Sequence, residues 1–71
     1  MNGWFRLHPD FIAAVRAADE CGRAPAGSWE IWADGESKVV RPSSRDYNRV
    51  RRWANAIGYA GPILGEAWVA Q

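Results

Sequence analysis

Apolar side chains recur at helical spacing in residues 9–21. They return every three or four positions, which is the period of a helix that buries one face. Pro9 suits the first helical position, and Gly22 is a natural stop. The pattern therefore predicts a helix over 9–21 with a buried stripe in which Cys21 is a small core hydrophobe. The stripe consists of Phe11, Ala14, Val15, Ala18 and Cys21.

A second amphipathic pattern covers residues 44–57. Ser43 and Asp46 have the spacing of a capping box, which marks a helix start, and Gly58 closes the segment. On a helical wheel one face is apolar and the opposite face is basic. The pattern predicts a second helix over 44–57. Its apolar face consists of Tyr47, Val50, Ala54 and Ile57.

The remaining apolar runs are short and are typical of strands. Trp4–Leu7 forms one such run, and residues 63–70 form another that Gly65 interrupts. Between the two helices, Asp34-Gly35 separates two β-prone runs, and this dipeptide favours a two-residue hairpin turn. The sequence thus predicts a hairpin over 29–41.

The hairpin register determines which of its tryptophans faces the core. Successive strand residues point to opposite faces, so Trp29 and Trp32 must differ in exposure. Trp29 shares its face with Ile31 and Val40. We therefore expect Trp29 to be buried and Trp32 to be exposed.

Together these elements predict a small α+β fold in a single domain over 1–71. The order strand, helix, strand, strand, helix, strand is the ferredoxin-like βαββαβ order, with two helices on an antiparallel sheet. A simpler αββα arrangement is the alternative. A chain of 71 residues buries a marginal core, and five tryptophans supply much of its apolar area.

The composition limits the kinds of disulfide, metal site and catalytic site that this chain can form. One cysteine cannot form an internal disulfide, and the chain has a single histidine. Cysteine, histidine and acidic residues do not cluster at metal-ligand spacing, so we expect neither a metal nor a cofactor. His8 precedes Pro9 at a helix start, where capping is its ordinary role. The sequence therefore indicates a protein that is not an enzyme.

The charge is nearly neutral overall but unevenly distributed. The formal net charge is +1, with acidic residues concentrated in 10–36 and basic residues in 38–52. A dedicated non-specific nucleic-acid binder is usually more basic.

The chain has neither an apolar run of membrane-spanning length nor the pattern of a secretory signal. Together with the free cysteine, these features favour the cytoplasm.

The candidate contact residues are basic and aromatic. Interface cores favour tryptophan and arginine, so the leading hypothesis is a protein-binding module, such as a phage or mobile-element accessory protein or an inhibitor that blocks a partner's surface. The alternative is a nucleic-acid-binding protein that uses helix 44–57, and a homodimer is a third hypothesis; no membrane is implicated. The predicted partner-binding residues are Arg45, Arg49 and Arg52 on the basic face of helix 44–57, Trp53 at the border of that face, Lys38 and Arg41, which would extend the basic patch from the hairpin, and Trp32.

Overall fold

A computed structural model describes residues 3–33 and 39–68, except for the side chains of residues 32 and 33. These residues form a three-stranded antiparallel sheet and three helical segments. In chain order the elements are β1 (Phe5–Leu7), α1 (Pro9–Glu20), α2 (Glu30–Ala33), β2 (Val39–Val40), α3 (Arg45–Ile57) and β3 (Leu64–Ala67). Among the described residues, no helix combines the length and apolar character needed to cross a membrane.

The sheet places β1 at its centre, in the order β2-β1-β3. Phe5 pairs with Val40 on one side and with Ala67 on the other. The β1–β3 register shifts before Leu7, which pairs with Leu64. Gly65 lies at this irregularity, where a Cβ atom would stand 3.2 Å from the His8 Cα. A larger residue would press on backbone there. Gly65 does not interrupt the strand as the sequence predicted, because β3 runs through it from Leu64 to Ala67 with only a shift in register.

Helix α1 confirms the first amphipathic segment but ends one residue early. The His8 side chain caps it by accepting a hydrogen bond from the Asp10 backbone N–H, at 3.0 Å. Phe11 and Val15 are fully buried, as the stripe predicted. Cys21 is exposed, so its expected place in the core was wrong. Cys21 follows the last helical residue and adopts a non-helical backbone, which carries its side chain off the buried face.

Helix α3 confirms the second amphipathic segment, but it covers Arg45–Ile57 and its N-cap is Ser44, one residue after the Ser43 that the capping-box spacing predicted. Ser44 caps it by accepting a hydrogen bond from the Tyr47 N–H, at 3.1 Å. Gly58 ends it in the left-handed conformation, with φ at 76°. Val50 and Ala54 are buried, whereas Tyr47 and Ile57 are partly buried against the core. The predicted apolar face is thus the face that packs on the sheet and on α1.

The predicted hairpin over 29–41 is wrong. Residues 25–31 form successive tight turns, in which the Ser28, Glu30 and Ile31 N–H groups each donate to the carbonyl three residues earlier. The chain continues as helix α2, and β2 pairs with β1 instead of with residues 29–33. Tryptophan and isoleucine favour strands only where a neighbouring strand exists to pack against. The Asp34-Gly35 turn lies outside the described residues.

Trp29, in the turn just before α2, was expected to be buried and is instead exposed. Ile31 is fully buried in the core, while Trp29 is 59% exposed. A tight turn of helix places residues two apart on different sides, whereas the predicted strand would have placed both inward. The side chain of Trp32 lies outside what the structure describes.

The predicted fold class is confirmed: the protein is a small α+β domain with two long helices on a three-stranded antiparallel sheet. It departs from the βαββαβ order because α2 stands where the second strand was expected. The core lies between the sheet and the helices. It consists of Leu7, Phe11, Val15, Ile31, Val40, Val50, Trp53 and Ala54.

Replacement of Gly58 by alanine tests the C-terminal cap of α3. Gly58 has a φ of 76°, which a residue with a Cβ atom adopts at a cost of about 1 kcal/mol. A Cβ at this position would meet nothing within 4 Å, so the cost is conformational and not steric. We expect Gly58→Ala to lower the free energy of unfolding by about 1 kcal/mol in urea titrations. Gly58→Asn should lose less, because asparagine tolerates this conformation better.

Candidate partner-binding surface

Arg49 joins α3 to α2. Its Nη2 donates to Glu30 Oε1 at 2.7 Å, and the same nitrogen lies 3.7 Å from Asp46 Oδ1. The guanidinium also lies over the Trp53 ring, 5.1 Å from its centroid. The Nε atom is buried and has no hydrogen-bond acceptor among the described residues. Arg49 is therefore held by two carboxylates and an aromatic ring, and its charge is largely compensated within the protein.

The other predicted arginines of α3 remain on the surface. Arg45 and Arg52 are exposed, and they stand about one helical turn on either side of Arg49. Arg51 is also exposed on this helix. The basic stripe predicted from the wheel thus divides into exposed cations and Arg49, which is engaged in an internal ion pair.

Trp53 belongs to the core and not to the border of the exposed face. It is 7% exposed and packs within the hydrophobic cluster. The wheel placed it at the edge of the basic stripe, but its ring packs in the core and lies under the Arg49 guanidinium. A buried indole is not available to a partner, so we leave Trp53 out of the candidate surface. Lys38, which was predicted to extend the basic patch, lies outside the described residues.

Among the described residues, Trp29 is the large hydrophobic side chain that is most exposed to solvent. It precedes Glu30, whose carboxylate accepts a hydrogen bond from Arg49 at 2.7 Å, so the turn that carries Trp29 is tied to α3 at Arg49. The sequence did contain a signal for this turn, because Pro25, Gly27 and Ser28 favour tight turns just before Trp29. The candidate helix-side surface therefore comprises Trp29, Arg45 and Arg52.

Arg41 lies on a different part of the molecule. Its guanidinium carbon lies 5.6 Å from the centroid of the Trp4 ring, and Arg41 is exposed. Trp4 also accepts a backbone hydrogen bond from the Trp68 N–H, at 2.9 Å. Arg41 was expected to extend the patch on α3, but its observed contact is with a tryptophan of the sheet.

Potential catalytic groups meet near the start of α1, but each is engaged structurally. His8 Nδ1 accepts the Asp10 N–H, so in the neutral imidazole it has no proton to donate to the Asp10 carboxylate 3.8 Å away. The Tyr59 hydroxyl donates to the Pro62 carbonyl at 2.7 Å. Partial burial raises the pKa of Tyr59 above its usual value, and the Asp10 carboxylate adds to the rise. A phenol with a raised pKa stays protonated at neutral pH, so it is not an activated base.

An open groove of about 750 Å³ runs between α1 and the sheet. Apolar Leu7 and Ile12 line it together with the charged Arg16 and Glu66. Arg6 also lines the groove, so two guanidinium groups face a single carboxylate there. No group of three or more cysteine, histidine or acidic residues among 3–33 and 39–68 is placed to hold a metal ion.

Comparison with known proteins gives no match. No protein-family model, no curated protein sequence and no solved structure matches this chain.

Proposed function

We propose that this protein is a small, non-catalytic protein-binding module. The observation that carries the proposal is the 59% exposure of Trp29, the one large hydrophobic side chain that is fully on the surface among the described residues. Solvent exposure of an indole is unfavourable in a free domain, and buried tryptophans dominate the binding energy of many protein interfaces.

The surroundings of Trp29 support a preformed contact site. Ile31 is fully buried two residues later, and the Glu30–Arg49 ion pair fixes the same turn to α3. A side chain on a rigid turn loses little conformational entropy on binding. Arg45 and Arg52 are exposed on α3 about one helical turn on either side of Arg49, and long cationic side chains suit the rim of an interface.

The proposed mode of action is occlusion of a partner's surface. A module of this size works by covering a functional patch of a larger protein, as inhibitors and accessory proteins of phages and mobile elements do. The exposed cations favour an acidic rim on the partner, which accelerates association. The exposed free thiol of Cys21 supports a reducing compartment such as the cytoplasm.

Truncation of Trp29 tests the proposal. We expect Trp29→Ala to weaken partner binding by at least about tenfold, because hot-spot tryptophans contribute 2 kcal/mol or more. The measurement is quantitative mass spectrometry of proteins retained by immobilised wild type and variant from lysate of the source cells, followed by titration of the purified partner. Trp68→Ala is the matched control, since it removes a tryptophan from the sheet and not from the helix side.

A partner retained equally by wild type and Trp29→Ala would contradict this surface. A partner lost from both tryptophan variants would instead indicate a general defect, which circular dichroism of the variants identifies.

The second candidate function is binding of duplex nucleic acid through α3. Its support is the exposure of Arg45, Arg51 and Arg52, three guanidinium groups on one helix. These cations suit phosphate oxygens.

Reversal of Arg45 and Arg52 to glutamate should abolish duplex binding and leave the fold intact, because both side chains face solvent. Anisotropy of labelled duplex DNA at 50 and 200 mM salt measures this.

A further inference from the structure

Three side chains form a row across all strands of the sheet. The register that pairs Phe5 with Val40 and with Ala67 places Trp4 opposite Arg41 on one side and opposite Trp68 on the other. Two contacts support this extension of the ladder. The Arg41 guanidinium lies over the Trp4 ring, and the Trp68 N–H donates to the Trp4 carbonyl.

This row lies on the face of the sheet opposite the helices. Leu7 and Val40 are buried in the core, on the face that Phe5 shares with them. Successive strand residues alternate between faces, so Trp4, Arg41 and Trp68 project to the other side. Arg41 is exposed, and both tryptophans are partly exposed. We call this set the sheet-face row.

The chemistry of the sheet-face row matches that of an unpaired nucleotide strand. Flat aromatic rings on neighbouring strands offer stacking surfaces for successive bases, and a guanidinium plane can itself stack on a base or bind a phosphate. Arg41 leads directly into the loop before α3, and Arg45 is exposed just beyond it. The charge at this end of the sheet therefore complements a phosphate backbone that continues past the row.

We infer that the sheet-face row is a binding site for single-stranded nucleic acid, with bases stacked on Trp4 and Trp68 and a phosphate at Arg41. The site is separate from the helix-side surface of Trp29, so the two surfaces allow one domain to hold a protein partner and a nucleic-acid strand together. Stacking is tolerant of sequence, because every base has a π-face. The site thus selects single strands over duplexes and does not require a particular sequence.

The test is anisotropy of fluorescein-labelled 12-mers of oligo(dT) and oligo(U), with a labelled duplex in parallel, at 50 mM salt. Wild type is expected to bind the single strands more tightly than the duplex. Loss of one stacking ring weakens such binding roughly 5- to 150-fold, so Trp68→Ala should show a loss in this range. Trp68→Phe should retain most of the affinity, because the ring is kept.

Matched variants locate the site. Trp29→Ala removes an exposed indole from the helix side and should bind oligo(dT) as wild type does. Arg41→Ala should weaken binding and reduce the slope of log affinity against log salt by about 0.7, the value for one phosphate contact on a single strand. Arg23→Ala, which removes an equally exposed arginine from the loop after α1, should leave that slope unchanged.

Three outcomes would overturn the inference. Wild type could fail to bind either single strand at 50 mM salt. Alternatively, the double variant Arg45→Glu/Arg52→Glu could abolish binding while Trp68→Ala leaves it unchanged. That result would place the nucleic-acid-binding site on α3 and not on the sheet face. Finally, sedimentation could show a dimer that Trp68→Ala dissociates, which would assign the sheet face to a second copy of the chain. Trp68→Phe, with its smaller disturbance, keeps the test decisive should Trp68→Ala fold poorly.

Discussion

Trp53→Ala is expected to lower the free energy of unfolding by about 3–5 kcal/mol, the usual cost of truncating a buried aromatic side chain. Trp53 is 7% exposed and packs in the core cluster, and its ring also supports the Arg49 guanidinium. A domain of this length has a total stability of roughly 4–11 kcal/mol, so the variant should be near or below the folding threshold. Urea or thermal denaturation followed by circular dichroism measures the loss.

Trp29→Ala is the control for this prediction. It removes the same side chain from a position that is 59% exposed, so its effect on stability should be within about 0.5 kcal/mol. Comparable losses in the two variants would mean that Trp29 packs on the domain as firmly as Trp53 does, and the helix-side surface would then lose its central residue.

Arg49→Glu is expected to destabilise the domain by about 2 kcal/mol, since the charged hydrogen bond is lost and two carboxylates are left beside the new one. Glu30 Oε1 lies 2.7 Å and Asp46 Oδ1 3.7 Å from the Arg49 Nη2. Both partners of the short contact are about one third exposed, so solvent moderates the repulsion. The loss should shrink as salt is raised from 50 to 500 mM, because ions screen the repulsion.

Arg52→Glu is the matched charge reversal, and it should change stability by less than about 0.5 kcal/mol because Arg52 is exposed. A reciprocal variant, Glu30→Arg with Arg49→Glu, should recover part of the lost stability by restoring opposite charges across the contact. Equal stability of Arg49→Glu and Arg52→Glu would show that the Glu30 contact does not hold α2 to α3.

Local signals were sufficient to predict both long helices. Pro9 and the Ser44 region begin them, Gly58 ends the second, and the apolar period identifies the buried faces. These determinants act within a few residues, which is why a sequence pattern captures them. A periodic pattern does not fix the last residue of a helix. The helix ends at Glu20, so Cys21, one residue later, is in solvent and not in the core.

The segment Trp29–Ala33 could not be predicted from its own residues. Its tryptophans and isoleucine favour a strand, but its structure depends on Arg49, which lies 19 residues later and binds Glu30. The same distant contact separates Arg49 from Arg45 and Arg52, which look equivalent on a helical wheel. The exposure of Arg45 and Arg52 agrees with the helical wheel, whereas the ion pair of Arg49 and the burial of Trp53 became evident only in the fold.

The position of β1 at the centre of the sheet also has a kinetic consequence. Phe5 pairs with Val40 and with Ala67. Strand β1 is therefore synthesised well before the two strands with which it pairs. Closing such long loops is entropically costly and slows folding. During synthesis on the ribosome, α1 can form early but the sheet cannot assemble until β3 has left the exit tunnel. We therefore expect Trp4 and Phe5 to remain accessible to chaperones until β3 has emerged.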